Sequence, residues 1–581
     1  MPSGMRLLEV GELGVLAELD SLAQVMAVQA VLLRHRPAGV LDVVPAARTV
    51  LISCDSPAAV RAVRSLLAVS PDGLPEPLPG TVHTIKTLYD GADLAHAAAL
   101  AGLSTDALVS WHSGQPWLAA FGGFAPGFMY LSPARHPLDM PRHPSPRTAV
   151  PAGSVAVGGE FSAVYPGPSP GGWQLLGRCT DIMWDAALWD GSGASPALLQ
   201  PGDTVHFVPA RELLHLSGAG TPGARQAVDD AATGASAAPS PAGIATGPGP
   251  AQGTVPGHLE PGLRVLSPGV FTTVQDLGRP GFAHLGVTAS GALDRASLRR
   301  ANRMVGNPAA EDGSRGNLAS AGLAQPRHPA GAAALETVMG GLRVQAVGSH
   351  VIAVAGSGIQ LAVAAADGTV RTPNTNTPFP LLDGETLSLT ALPGAPALRS
   401  YVAVRGGITV PTVLGSRSAD VLSRLGPAPL AAGVFLPVGT PVGVVGVPEP
   451  APEQPEIAEL RFLSGPRHDW FTPESLAAFE RAHWLVGTSS NRIGLRVEPA
   501  ETGAAALVRT REALTLELPS EGMADGAIQV PPSGMPVIFL ADHPVTGGYP
   551  VLGVVLREDL GLAAALAPGA SVRFRRLERR T

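Results

Sequence analysis

A single lysine, Lys86, serves all 581 residues, and nearly all other positive charge is arginine. A phosphate loop of the G-x-x-x-x-G-K-[ST] type needs a lysine beside a glycine turn, and Schiff-base chemistry needs one in a pocket. Both mechanisms would rest on Lys86, and the loop motif does not occur. Cysteine is nearly as scarce. Cys54 and Cys179 are too few and too far apart for a disulfide framework or a thiolate zinc site, so they read as small buried hydrophobes. With no H-x-x-x-H, no H-E-x-x-H and no cysteine cluster, no metal site is expected. No run of 18 apolar residues occurs, and the start MPSGMRLLEVGELG has no basic segment leading into an apolar one. The expectation is a cytoplasmic protein with no membrane partner. Charged residues make up only 15%, and the net charge of −7 is spread among interspersed acids and bases. That leaves no basic stripe for a nucleic acid.

What the chain has in quantity is turn-forming residue, Gly 70 and Pro 58, which favours short strands over long helices. Its length suits several domains. Residues 218–260 are almost entirely Ala, Gly, Pro, Ser and Thr. Such a segment cannot bury enough surface to offset its ordering entropy, so a disordered tether is expected. Before it, residues 1–80 alternate helical stretches (19–36 and 56–69) with strand-like runs (41–45 and 49–55), which predicts a small α/β module. Residues 81–217 open on a helical pair, then give glycine-broken strands ending at PGDTVHFVPA, a β-barrel pattern. After the tether come 261–450, with one clear helix over 292–307 and a polar insertion at about 310–331, and then 451–581, again strand-rich. The fold class expected is mainly β with α+β portions, in several domains.

An internal echo links the two parts. Val150-Pro151-x-Gly153 and Gly171-Gly172-Trp173-x-x-Leu176-Gly177 resemble Val530-Pro531-x-x-Gly534 and Gly547-Gly548-Tyr549-x-x-Leu552-Gly553. PGDTVHF (201–207) and PGASVRF (568–574) echo likewise, which predicts one barrel plan used twice.

Candidate site residues lie on the turns of these strands. FGGFAPGFMYL (121–131) is either a close-packed turn or a cradle in which Gly123 and Gly127 present N–H groups to an anion. Arg147 and Arg178, at strand ends, could grip a carboxylate or phosphate, or pair with a nearby acid. His112, ending a short helix, is a ligand candidate or a core residue. Around the 292–307 helix stand Arg279, Ser290 and Asp294. Either of the last two could cap the helix, and its free N–H groups beside Arg279 would also suit an anion. GSRSAD (415–420) and SSNRIGLRV (489–497), the latter with Arg492, are further hydroxyl-plus-arginine turns. The densest stretch, Glu517 to Val554, holds Glu521, Gln529, Asp542, His543, Thr546, Gly547, Gly548 and Tyr549 between apolar runs. A carboxylate there, Glu521 or Asp542, is the candidate proton-transfer group, ranked with Gln529 and Tyr549 above the others. His543 ranks below its neighbours.

Read together, FGGFAPGFMYL, PRTAVPAGSVAVGG and PSPGGWQLLGR in the first part, with TTVQDLGRPGFAHLGVTASGALD, SGPRHDWFTPE, SSNRIGLRVE and SEGMADGAIQVPPSGMPVIFLADHPVTGGYP in the second, resemble a known family. It is that of bacterial 5-oxoprolinase subunits B and C, also called allophanate hydrolase subunits 1 and 2. The same modules are similar to the carboxyltransferase region of urea amidolyase. The resemblance implies cyclophilin-like β-barrels, a functional complex of the two halves, and ATP-dependent opening of 5-oxo-L-proline to L-glutamate with a separate A subunit. ATP would be held with Mg2+ by arginines and glycine-turn amides, given the missing phosphate-loop lysine. The alternatives are biotin-dependent carboxyl transfer, for which this chain has no Met-Lys-Met attachment site, and regulatory binding of a histidine kinase.

Overall fold

The computed structural model describes residues 5–69, 80–143, 145, 147–189, 194–212, 260–308, 331–394, 398–452, 455–501 and 506–578. The tether and the polar insertion expected from the sequence lie outside the described residues, save Glu260 and Gly331.

The amino-terminal module is an antiparallel sheet in the order Arg6–Val10, Gly14–Glu18, Thr49–Cys54, Val40–Pro45. Helices Leu22–Arg34, begun by a Ser21 cap, and Pro57–Val69 complete it. Side chains alternate along a strand, so each strand serves two faces. Val15, Ala17, Val50 and Ile52 pack beneath the helices with Val25, Val28, Leu32 and Val63. Leu16, Val44 and Leu51 point the other way, into a second apolar layer with Phe539, Val545 and Val554 from the far end of the chain. A sheet apolar on both faces needs a second cover, and here the carboxyl-terminal barrel supplies it.

Two barrels share one strand order. In the first, Val82–Thr87 runs parallel to Thr204–Pro209, followed round the ring by Trp117–Gly122, Met129–Pro133, Phe161–Val164, Ser154–Gly158 and Gln174–Arg178. Reciprocal backbone bonds of 2.9 Å between Leu88 and Arg178 return the ring to its start. The second is a closed barrel that begins with Ile457–Ser464 parallel to Ser571–Arg576. It continues through Trp484–Val486, Gly494–Pro499, Val537–Phe539, Ala527–Gln529 and Val551–Val555. Each also carries a two-stranded flap, Arg147–Val150 with Ser169–Gly171 in one and Glu521–Gly522 with Thr546–Gly547 in the other.

The echo of Gly-Gly-aromatic and of the closing strands therefore marks equivalent positions. The Val-Pro-Gly echo does not. Val150–Gly153 leads into its hairpin, whereas Val530–Gly534 is the turn within the corresponding hairpin. The counterpart of Gly153 is Gly526. Their φ angles are 76° and 78°, and their N–H groups donate to Tyr165 O and Phe539 O at 2.8 and 2.9 Å. Turn residues recur wherever a chain must reverse, so Pro and Gly spacing alone misaligned the repeat.

In chain order a sandwich separates the two barrels. A six-stranded sheet, including Gly262–Pro268, Gly340–Val347 and Thr386–Ala391, faces a five-stranded one that includes Phe271–Gln275, Ala334–Val338 and Arg399–Val404. Leu263, Val344 and Leu387 meet Val274, Leu335 and Val402 in its core. Helix Arg295–Met304 lies against the outer face of the five-stranded sheet, where Leu298, Ala301 and Met304 rest on Ala334, Ala353 and Ala403. Small residues on the sheet let the helix approach. Asp294 caps it, accepting from Ser297 N at 2.9 Å.

Candidate functional site

The Glu521 flap of the second barrel sits where three bodies meet. Glu521 pairs across the flap with Gly547, and its carboxylate takes the guanidinium fork of Arg467, with Nε at 3.1 Å. The same guanidinium reaches Glu18 Oε1 at 2.6 Å, on a strand of the amino-terminal module. Its far face lies over the Trp470 ring. Burial raises the Glu521 carboxyl above the ordinary glutamate range despite the opposing pull of Arg467. From the first barrel, the Tyr130 hydroxyl lies near the side chains of Ser520 and Thr546. Gln529 Nε2 donates to Tyr549 O at 3.3 Å, and the Tyr549 ring is 44% exposed at the rim. Glu521, Gln529, Thr546, Gly547, Gly548 and Tyr549 thus share one seam, buried at Glu521, Gln529 and Thr546 and exposed at Gly548 and Tyr549.

Asp542, ranked beside Glu521 from the sequence, belongs elsewhere. It is fully buried and accepts from Arg492 Nε at 2.8 Å, Arg492 Nη2 at 3.0 Å, Ser290 Oγ at 2.6 Å and Val421 N at 3.0 Å. Arg492 also bonds Glu336 and donates to Gly291 O at 2.7 Å. Glu336 in turn accepts from Tyr401 Oη at 2.8 Å and Leu293 N at 3.0 Å. The two carboxylates hold the Arg492 guanidinium firmly protonated against the cost of its burial. Every lone pair that matters here has a donor, so Asp542, Arg492 and Ser290 form a closed clamp between sandwich and second barrel. Ser290 stands at φ 53° and does not cap the helix. Arg279 is buried nearby, bonded to Ser418 O and Val413 O. The GSRSAD turn serves Asp276, whose carboxylate accepts from Ser416 Oγ and Ser418 Oγ, both at 2.6 Å, and from Arg417 N, also at 2.6 Å.

The other candidates lie away from this seam or, like Gly123, only border it. His112 is not a seam residue. It is the core plug of the first barrel, 4.3 Å from the Phe207 ring, where the second barrel puts Phe479 4.6 Å from Phe574. Trp117 and Trp484 donate to the carbonyls of His112 and Phe479, each five residues back. Burial lowers the His112 imidazole to about 3, so it stays neutral between Tyr89 Oη at 2.7 Å and Ser162 Oγ at 2.8 Å. Gly123 and Gly127 do not cradle an anion with their N–H groups, which already donate to Phe128 O and Leu285 O at 3.1 and 2.9 Å. They allow close approach instead: a Cβ on Gly123 would stand 2.6 Å from Thr546 Oγ1. Asp294 is a cap. Arg147 lies outside the seam, on the flap of the first barrel, where it pairs with Asp93 at 2.6 Å.

Glu18, Arg467, Tyr130 and Ser520 escaped sequence reasoning. Arg467 stands in SGPRHDW and Tyr130 in FGGFAPGFMYL, but only the meeting of distant segments gives either a polar role. Among the described residues, no group of three or more His, Cys, Asp or Glu could hold a metal ion, and no helix is long and apolar enough to cross a membrane.

Two barrels on one plan, a sandwich and a seam between them define a class before any name. The family model for "Carboxyltransferase domain, subdomain C and D" matches residues 5–194, and that for "Carboxyltransferase domain, subdomain A and B" matches residues 326–576. The C subunit of 5-oxoprolinase from Escherichia coli strain K12 is 32% identical over 315 residues, 54% of this chain and 90% of that one. The B subunit of 5-oxoprolinase from Escherichia coli O157:H7 is 45% identical over 131 residues, 22% of this chain and 58% of that one. The crystal structure of TTHA0988 covers 97% of this chain and 99% of its own at 31% identity, with a TM-score of 0.73. The chain belongs to the family of 5-oxoprolinase subunits B and C.

Proposed function

We propose that this chain is the lactam-activating component of an ATP-dependent 5-oxoprolinase, working with a separate A subunit. The observation that carries the reading is the Glu18–Arg467–Glu521 set, which exists only where the two halves meet and so joins them into one site. The relatives named as B and C subunits of 5-oxoprolinase support it. A planar amide is a poor electrophile. ATP, when bound, supplies a phosphoryl group to the lactam oxygen and so readies the ring carbon for water. In the seam, Gln529 and the Tyr549 rim orient the five-membered ring, and Glu521, its carboxyl raised by burial, takes the proton of the attacking water and passes it to the ring nitrogen as the C–N bond breaks. A second water hydrolyses the acyl phosphate so formed to the carboxylate and inorganic phosphate. The seam does not itself suit a polyphosphate, because Arg467 already faces two carboxylates. Nor is there a described carboxylate cluster for Mg2+, which would have to arrive on the nucleotide.

The test is ATP turnover by the purified chain mixed with the A subunit, with and without 5-oxoproline. Turnover that requires all three is expected, and Glu521→Gln should lower it by about 10²-fold or more while leaving the fold intact. Turnover no greater than that of either protein alone would remove the reading. A second reading, carboxyl transfer from a separate biotin protein, is favoured by the description of both family models. Carboxybiotin-dependent carboxylation of urea, without 5-oxoproline turnover, would install it instead.

A further inference from the structure

The repeat places the flap residue Arg147, opposite Gly171, at the position of Glu521, opposite Gly547. Its ion-pair partner is equivalent too. Asp93 N donates to Leu175 O at 3.1 Å, and Arg467 N donates to Val551 O, also at 3.1 Å, in the matching strands. One salt bridge therefore occurs twice, with its charges exchanged. The second barrel turns an acid toward its mouth, and the first turns a base.

Around that base the protein leaves donors without acceptors. The Asp93 carboxylate is used up: Oδ1 takes Arg147 Nη2 at 2.6 Å and Oδ2 takes Leu175 N at 2.8 Å. Among the described residues, Arg147 Nη1 and Ser169 Oγ have no hydrogen-bond partner, and His143 Nε2 has only an ion-pair contact of 3.4 Å with Asp93 Oδ1. Exposed Arg142 lies over Trp173, 6.0 Å from its ring centre, at the Gly-Gly-aromatic turn. A buried donor without an acceptor is costly, and a guanidinium fork beside a second arginine and an imidazole matches the several oxygens of a phosphate chain.

We propose that the mouth of the first barrel, formed by Arg142, His143, Arg147 and Ser169, is a subsite for the polyphosphate of a nucleoside triphosphate. The inference builds on the lactam reading, since it gives the phosphoryl donor of that reaction a basic subsite beside the acidic seam. The Tyr130 ring packs 5.5 Å from Trp173, and Arg142 and Thr546 both lie near its hydroxyl.

Calorimetric titration of the full chain with ATP, inorganic tripolyphosphate and adenosine, with no A subunit and no 5-oxoproline present, tests the site. ATP and tripolyphosphate should bind and compete, and adenosine should not. Arg142→Gln, at an exposed position that folding does not need, should weaken ATP about tenfold, and Arg147→Gln at least as much. Arg147→Lys keeps the charge beside Asp93 but loses the fork, and should fall between. Arg178→Gln removes an exposed arginine of the same barrel paired with Asp90, and should change nothing. Unaltered ATP affinity in the Arg142→Gln/Arg147→Gln double variant, an equal loss in Arg178→Gln, or adenosine competing as well as ATP would overturn the site. Binding that behaves as expected beside absent 5-oxoproline turnover would leave the subsite standing and remove the lactam reading.

Discussion

His543 has an acceptor at each ring nitrogen, Pro544 O at 2.8 Å from Nδ1 and Asp525 Oδ1 at 3.1 Å from Nε2. A neutral imidazole can donate to only one of them, so this geometry holds the ring protonated. The folded-state pKa is accordingly raised above 6.5, against burial, chiefly by the Asp525 bond, and the Asp525 carboxyl is lowered to about 2. The histidine contributes stability that is full below its unfolded value and lost as pH rises through its higher folded value. The aspartate contributes stability that is full above about 3.8 and lost as pH falls toward about 2. His543→Gln should therefore lower the melting temperature more at pH 5.5 than at pH 8.5, by thermal denaturation at matched ionic strength. An equal loss at both would mean that the ring is not charged in the fold. Individual residues were the hardest scale to read from the sequence. His112 and His543 look alike there, yet one is a neutral core plug and the other half of an ion pair. What separates them is burial against Phe207 in one case and a carboxylate 18 residues away in the other.

Elements were more legible, because alternation and turn chemistry are local. The helix over 292–307 is observed as Arg295–Met304, and the Gly-Gly-aromatic echo falls on matching strands. The clamp was half visible. Ser290, Arg492 and Asp542 were named individually, but nothing in their spacing shows that a residue near 290, one near 492 and one near 542 converge, and Glu336 completes them across 156 residues. Arg492→Ala would leave Asp542 buried without its cation, while Glu336 keeps only Arg399 as a cation, 3.7 Å away. A loss of about 3–5 kcal/mol is expected, measured by urea denaturation. Adding Asp542→Asn should make the loss smaller than for Arg492→Ala alone, because the penalty lies in the unpaired charge. A larger loss in the double variant would show that the bonds themselves carry the stability.

At the scale of the whole molecule, the tether is not what keeps the halves together. Asp42 accepts from Gly281 N and Ala283 N at 3.0 and 3.1 Å, and Leu16, Val44 and Leu51 share an apolar layer with Met523, Phe539 and Val554. A protease site placed between Gly218 and Pro261 should, once cut, give fragments that still elute as one species by size-exclusion chromatography. Gly123→Val in the cut chain should separate them, because its side chain would enter the space of Thr546. Fragments that part without that substitution would show that the contact needs the tether. The two-part organisation was legible from composition alone, whereas the face-to-face docking was not. Docking depends on a sheet whose second face is apolar, and alternating strand residues do not reveal what will cover them.

The exchanged salt bridge also constrains history. If the two barrels descend from one, exchanging the charge of either partner alone sets acid against acid or arginine against arginine, and passing through a neutral residue leaves the other charge without its partner, so every route from one polarity to the other crosses a less stable pair. Flap and partner loop therefore work as a unit, and a chimera that moved the flap alone would be less stable than either parent before any question of substrate arose.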